Sequence, residues 1–133
     1  VLSALKIGYR LFDTAALYGN EQDVGNAIRK SGIAREEIFV TTKLHPATLF
    51  NIEKAFDKSL QALGLKYIDL YLIHLQTFRK RSIWKILEKI YRQGRVRAIG
   101  VSNFTIKDLE NLLASTEIIP AVNQVEFHPF LYH

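Results

Sequence analysis

Asp13, Tyr18, Lys43 and His74 are the residues whose types would suit proton chemistry if the fold brought them together. A free tyrosine titrates near pH ~10, so at neutral pH it releases its proton reluctantly unless a nearby cation stabilises the phenolate. Lys43 could be that cation. An ammonium is costly to bury unpaired, and a carboxylate such as Asp13 beside it would keep it charged and in place. His74 could then donate a hydrogen bond to a substrate oxygen while Tyr18 supplies the proton. That arrangement suits delivery of a hydride to a carbonyl carbon. Taken singly, each residue has a plainer reading: Asp13 as a helix cap or turn residue, Tyr18 as a packing aromatic, His74 as a hydrogen-bonded structural histidine. Nothing in the four residue types identifies a nicotinamide.

Five short apolar runs must position these groups: YRLFD (9–13), IFVTTK (38–43), IDLYLIH (68–74), RAIGVSN (97–103) and AVNQVEF (121–127). They lack strict alternation, as strands buried on both faces of a parallel sheet do. Helical patterns separate them. A first helix tail covers Val1 to Lys6, and a second helix runs from about Glu21 to Lys30, weakened by Gly25. Ile52, Ala55, Phe56, Leu60 and Leu63 recur at helical spacing before Gly64, and Ile83, Ile86, Leu87 and Ile90 repeat the pattern before Gly94. Thr105 with Asp108 predicts a helix start ahead of Leu109, Leu112 and Leu113.

Strand and helix thus alternate at a nearly steady pitch, which argues for an α/β fold with parallel strands and right-handed crossovers. No GxGxxG turn follows the first strand, as a dinucleotide-binding doubly wound sheet would carry. Polar residues sit instead at successive strand ends: Asp13 with Tyr18 beyond it, Lys43, His74, Ser102 and Asn103, and Gln124. A (β/α)8 barrel builds its site from such strand ends, so these residues would converge.

The bounds are ordinary. The chain has 133 residues, 48% hydrophobic and 23% charged, and no apolar run approaches the ~18 residues of a membrane span. Its length fits one small domain, residues 1–133. Cysteine is absent, which excludes disulfides and thiolate chemistry and is compatible with a reducing cytoplasm. The net charge of +5 suits an anionic partner of some kind. The densest basic cluster, Arg79, Lys80 and Arg81, has no interleaved stacking aromatics and no nucleic-acid signature, so it reads as a solvated helix face or its flank, turned to solvent or an anion. His45, His128 and His133 lack metal-ligand spacing, and Trp84 falls in an apolar helical pattern as a packing residue. Neither a metal, a nucleic acid nor a membrane is expected as partner.

The segments GYRLFDTAALYGNE, TTKL, DLYLIH, VRAIGVSNF and NQVEFHP resemble successive motifs of the aldo-keto reductase family, in this order and at about the family's spacing. The resemblance runs through nearly the whole chain. It implies a partial (β/α)8 TIM barrel with five parallel strands and intervening helices, from a family that uses NADPH, or less often NADH, to reduce small-molecule aldehydes and ketones to alcohols. Residue by residue, it assigns catalysis to Asp13, Tyr18, Lys43 and His74, with Tyr18 as the acid. Ser102, Asn103 and Gln124 match positions that hydrogen-bond the nicotinamide carboxamide.

A full (β/α)8 domain needs ~250 residues. The family's first strand and last two strands have no counterpart here, and with them go the aromatic that stacks on the nicotinamide, the pyrophosphate ligands and the basic residues that select the adenosine 2′-phosphate. Val1 as first residue points the same way. Open sheet edges then predict self-association or membership of a larger polypeptide. The alternative to a reductase is a catalytically inactive barrel fragment with a structural or binding role. A second departure, Leu75 and Gln76 where the family has tryptophan and proline, bears on substrate size rather than on the chemistry.

Overall fold

The structure, a computed structural model, describes residues 1–48 and 50–131; His133, considered above for metal binding, lies outside them. Helices and strands alternate in the order α1 (Leu2–Lys6), β1 (Leu11–Asp13), α2 (Glu21–Ser31), β2 (Phe39–Leu44), α3 (Ile52–Leu63), β3 (Ile68–Ile73), α4 (Lys80–Arg92), β4 (Val96–Ser102), α5 (Ile106–Leu113) and β5 (Asn123–Gln124). The strands pair in parallel in sequence order, β1 to β5, and the sheet curls into a half-barrel with helices between strands. No described helix is long and apolar enough to cross a membrane.

All six residues of β3 are buried, as expected of a central parallel strand covered on both faces. The edge strands are shorter than their apolar runs, because each finds ladder partners on one side only: β1 keeps three residues of YRLFD and β5 two of AVNQVEF. The core lies between sheet and helices and is built from Val40, Leu44, Phe56, Tyr71, Ile73, Ile83, Trp84, Leu87 and Val101 among others. Trp84 is the packing residue its pattern predicts, and its indole N–H donates to the Ile118 carbonyl at 2.9 Å.

Local signals close the helices. The Asn51 side chain accepts from the Lys54 N–H, and Gly64 ends α3 at φ 62°, a left-handed conformation that favours glycine. Thr105 and Asp108 form a reciprocal capping box at the start of α5. Gly25 is required by packing: a Cβ there would lie 1.9 Å from the Leu63 carbonyl oxygen, so α2 and α3 approach backbone to backbone. Arg29 donates to that same carbonyl at 2.6 Å, placing a cation at the negative end of α3.

The basic cluster at the start of α4 lies at the surface, with Arg81 exposed and Arg79 and Lys80 half-buried, and its members also have partners in the fold. Lys80 pairs with Asp108 at 2.5 Å and the Arg81 Nε–H donates to the Asn111 carbonyl at 3.0 Å, so both clamp α4 to α5. Arg79 lies over the ring of Phe50 at 4.6 Å. At the amino-terminal end of the strands, buried Asp69 binds Arg35 at 2.5 Å, Arg97 at 3.2 Å and the Val40 N–H at 2.9 Å. The ring of Tyr67 lies near both guanidinium groups, 4.2 and 4.4 Å from their carbons.

Candidate active site

Asp13 and Lys43 come together because of strand register. Asp13 is level with Thr41 in the β1–β2 ladder, and Lys43, two residues on, faces the same side one step nearer the carboxyl-terminal rim. The Lys43 ammonium donates to one oxygen of the Asp13 carboxylate and, at 3.1 Å, to the Thr14 carbonyl. Lys43 is buried, so both acceptors compensate a charge that water cannot reach.

Tyr18 arrives on a single 3-10 turn, Ala16–Tyr18, closed by Gly19 at φ 67°. The Thr14 hydroxyl donates to the Asn20 side-chain oxygen at 2.6 Å, pinning the base of that turn. The ring of Tyr18 then stands over the rim, with the Lys43 nitrogen 5.2 Å from its centroid. His74, one residue beyond β3, meets Tyr18 edge to face at 5.7 Å between centroids.

His74 is buried, and its Nδ1 has no hydrogen-bond partner among the described residues. Burial first, then the positive charge of Lys43, hold its pKa below the ordinary value of 6.5; Asp13 opposes this and His45 adds slightly to it. The imidazole is therefore neutral at pH 7, with one N–H to donate.

Ser102 ends β4, and Asn103 follows in the left-handed region at φ 59°, a conformation that asparagine tolerates better than most. Its amide donates to the Ser102 hydroxyl at 3.1 Å and to the His74 carbonyl at 3.4 Å. Asn123 fastens the same loop by exchanging hydrogen bonds with the backbone of Phe104. Gln124, at the end of β5, reaches across the curl of the sheet and donates to the second oxygen of Asp13 at 2.9 Å.

Six of the seven residues singled out from the sequence line one cavity of ≈ 280 Å³: Tyr18, Lys43, His74, Ser102, Asn103 and Gln124. Asp13 stands behind Lys43 rather than on the wall. Val125 and Glu126 complete the lining and were not anticipated. Glu126 carried a signal, the one acid in the run AVNQVEF; the Thr14 carbonyl carried none, because a backbone acceptor has no residue type to read. A slightly larger cavity, ≈ 320 Å³, lies at the opposite end of the strands beside Arg29, Arg35 and Tyr67. Its arginines are committed to Leu63, Asp69 and backbone carbonyls, and Glu36 and Lys66 complete its charged lining. No cluster of three or more histidine, aspartate or glutamate residues suited to a metal occurs among the described residues.

The wall formed by Ser102, Asn103 and Gln124 offers a hydroxyl and two amides, a donor and acceptor set that fits a primary carboxamide such as that of a nicotinamide. The acid, cation and imidazole lie on the other side of the same cavity. Comparison with known proteins places this arrangement in context. The aldo/keto reductase family model matches residues 1–133. A glyoxal reductase of Bacillus subtilis is 52% identical over 138 residues, covering 98% of this chain and 49% of that protein. The crystal structure of an aldo/keto reductase from Brucella melitensis superposes with a TM-score of 0.92 at 48% identity, over 96% of this chain and 52% of that one. A Bombyx mori aldo-keto reductase, in complex with NADP, superposes with a TM-score of 0.89 at 37% identity, over 95% and 46% respectively. The chain spans about half the length of the curated relatives it matches. Motif order, barrel strands and rim residues thus agree with a match through the whole sequence, and the chain belongs to the aldo/keto reductase family.

Proposed function

We propose that this chain, as one partial barrel domain over residues 1–133, carries the reducing centre of an NAD(P)H-dependent reductase of small aldehydes and ketones. One observation carries the reading: Tyr18, Lys43, His74, Ser102, Asn103 and Gln124 share a single cavity although they come from five separate stretches of sequence. NADPH, with NADH as the lesser alternative, supplies the hydride when bound. Ser102, Asn103 and Gln124 would hold its carboxamide and so fix which face of the ring meets the substrate. The NADP-bound relative supports the choice of cofactor.

The remaining chemistry belongs to the chain's own residues. A substrate carbonyl oxygen accepts a hydrogen bond from the neutral imidazole of His74, which polarises the carbonyl carbon. As negative charge develops on that oxygen, Tyr18 transfers its phenolic proton to it. The Lys43 ammonium, 5.2 Å from the Tyr18 ring, favours the negative charge left on the phenol. Asp13 keeps Lys43 charged and oriented. Small carbonyl compounds such as glyoxal fit the cavity's modest size and the likeness to the Bacillus subtilis glyoxal reductase.

The exposed edges favour a second reading, a non-catalytic fragment that binds a partner or its own copies: Leu11 on β1 and Val125 just past β5 are both largely exposed. A cytoplasmic location, compatible with the cysteine-free sequence, belongs to the same proposal.

The deciding experiment follows NADPH oxidation by the chain with glyoxal and with an aromatic aldehyde, beside a Tyr18→Phe variant. Turnover in the parent that is lost in the variant supports the reductase. A folded parent without turnover supports the fragment reading, and sedimentation would then report its self-association.

A further inference from the structure

Gln124 and Asp13 stand on the two edge strands, at opposite ends of the sheet, yet their side chains meet. A carboxylate can only accept, so the Gln124 amide must turn its Nε2–H toward Asp13 Oδ2, and it does so at 2.9 Å. The other oxygen of Asp13 is taken by Lys43. Asp13 is therefore gripped from both sides, by an ammonium on the neighbouring strand and by an amide from across the curl. Lys43 has one further acceptor, the Thr14 carbonyl. No other described side chain hydrogen-bonds the Asp13 carboxylate, which is partly open to water.

We propose that Gln124 is a positioning residue for the Asp13–Lys43 pair: its amide holds the carboxylate in the rotamer that keeps the ammonium beneath Tyr18. The inference rests on the reductase reading above for its catalytic consequence, but the tether itself does not. Without Gln124, Asp13 is free to rotate toward solvent, since its side chain is already 31% exposed. Lys43 then keeps only the Thr14 carbonyl, and its charge drifts from the position under the Tyr18 ring. A role limited to the cofactor carboxamide would leave that pair untouched.

The test compares the parent with Gln124→Met, which keeps the length of the side chain and removes its hydrogen bonds, and with Gln124→Glu, which sets a second carboxylate against Asp13. The first readout is acylation of Lys43 by an amine-reactive ester, quantified by peptide mass spectrometry and normalised to Lys80, which is held by Asp108 elsewhere in the fold. Loss of a hydrogen bond to a charged group is expected to raise relative Lys43 labelling roughly tenfold in both variants. The second readout separates cofactor affinity, by fluorescence titration with NADPH, from kcat at saturating NADPH across pH. A tether predicts lower kcat and an altered pH profile even at saturation. Unchanged Lys43 labelling, whatever happens to NADPH affinity, would overturn the proposal. A rise in relative Lys43 labelling in the variants, with a parent that never turns over, refutes the reductase reading and leaves the tether standing.

Discussion

Lys43 and Asp13 form an ion pair across β1 and β2 whose two members are unequally sheltered: the lysine side chain is 2% exposed and the aspartate 31%. The asymmetry decides which partner the fold can lose. Removing the carboxylate strands a buried ammonium, whereas removing the ammonium leaves a carboxylate with access to water.

Asp13→Asn should therefore destabilise the chain by about 1–3 kcal/mol, a figure kept modest because the Thr14 carbonyl remains and Asp13 is partly solvated. Lys43→Met should destabilise less than Asp13→Asn, because Asp13 keeps Gln124 and its access to water even though the Thr14 carbonyl loses a donor. Urea unfolding midpoints of the two variants check the order. Both should lose turnover, so stability and activity separate only for Lys43.

Tyr18→Phe should lower kcat by about two to four orders of magnitude while leaving the melting temperature unchanged. Tyr18 is 52% exposed and its hydroxyl makes no hydrogen bond within the described residues, so folding does not depend on that group. A fall in melting temperature of more than a few degrees would assign the hydroxyl a structural role instead.

Stability should decline as pH falls below 6.5, because His74 in the folded chain has a lowered pKa and the unfolded chain takes up the proton first. The contribution is complete above pH 6.5 and is lost on acidification toward the folded value. His74→Gln should flatten the stability profile just below pH 6.5, a comparison made by denaturant melts at each pH.

Asp108 provides a second, more acidic limb. Hydrogen bonds from Lys80 and Thr105 bring its pKa from 3.8 down to about 2, so its contribution is present above pH 3.8 and lost as pH falls toward 2. Asp108→Asn should remove this limb and fray α5, visible as reduced helical circular dichroism above pH 4.

Gly25→Ala would gain helix propensity at an isolated site, yet here it should destabilise by about 1–3 kcal/mol. The added methyl would collide with the Leu63 carbonyl, a backbone group that cannot rotate away. A more stable variant would mean that α2 and α3 separate easily.

Much of this is legible in the sequence. The run IDLYLIH announced a central strand because all of its residues are apolar or destined for burial, and β3 is buried throughout. Thr105 with Asp108 announced a capping box, since both halves of that motif lie within four residues. The rim residues were legible as a set because strand ends recur at regular intervals. Gly25 was misjudged in its effect: propensity sees a weak helix position, whereas the need for a bare Cα comes from α3, far away in sequence. Arg79, Lys80 and Arg81 were read by their local charge, but the partners of Lys80 and Arg81 lie on α5. The link between Gln124 and Asp13 was illegible for the same reason, because only the curl of the sheet makes the two ends of the chain neighbours.

Asp69 shows how the two ends of the sheet divide their labour. One buried carboxylate joins the segment before β2, the Val40 N–H at the start of β2 and the start of β4, so a slip of β3 by a single residue would swap it to the opposite face and strand two guanidinium groups. It acts as a register lock at the lower end. Because that end satisfies its own charges internally, it holds strand register separately from the polar residues that line the cavity at the upper rim.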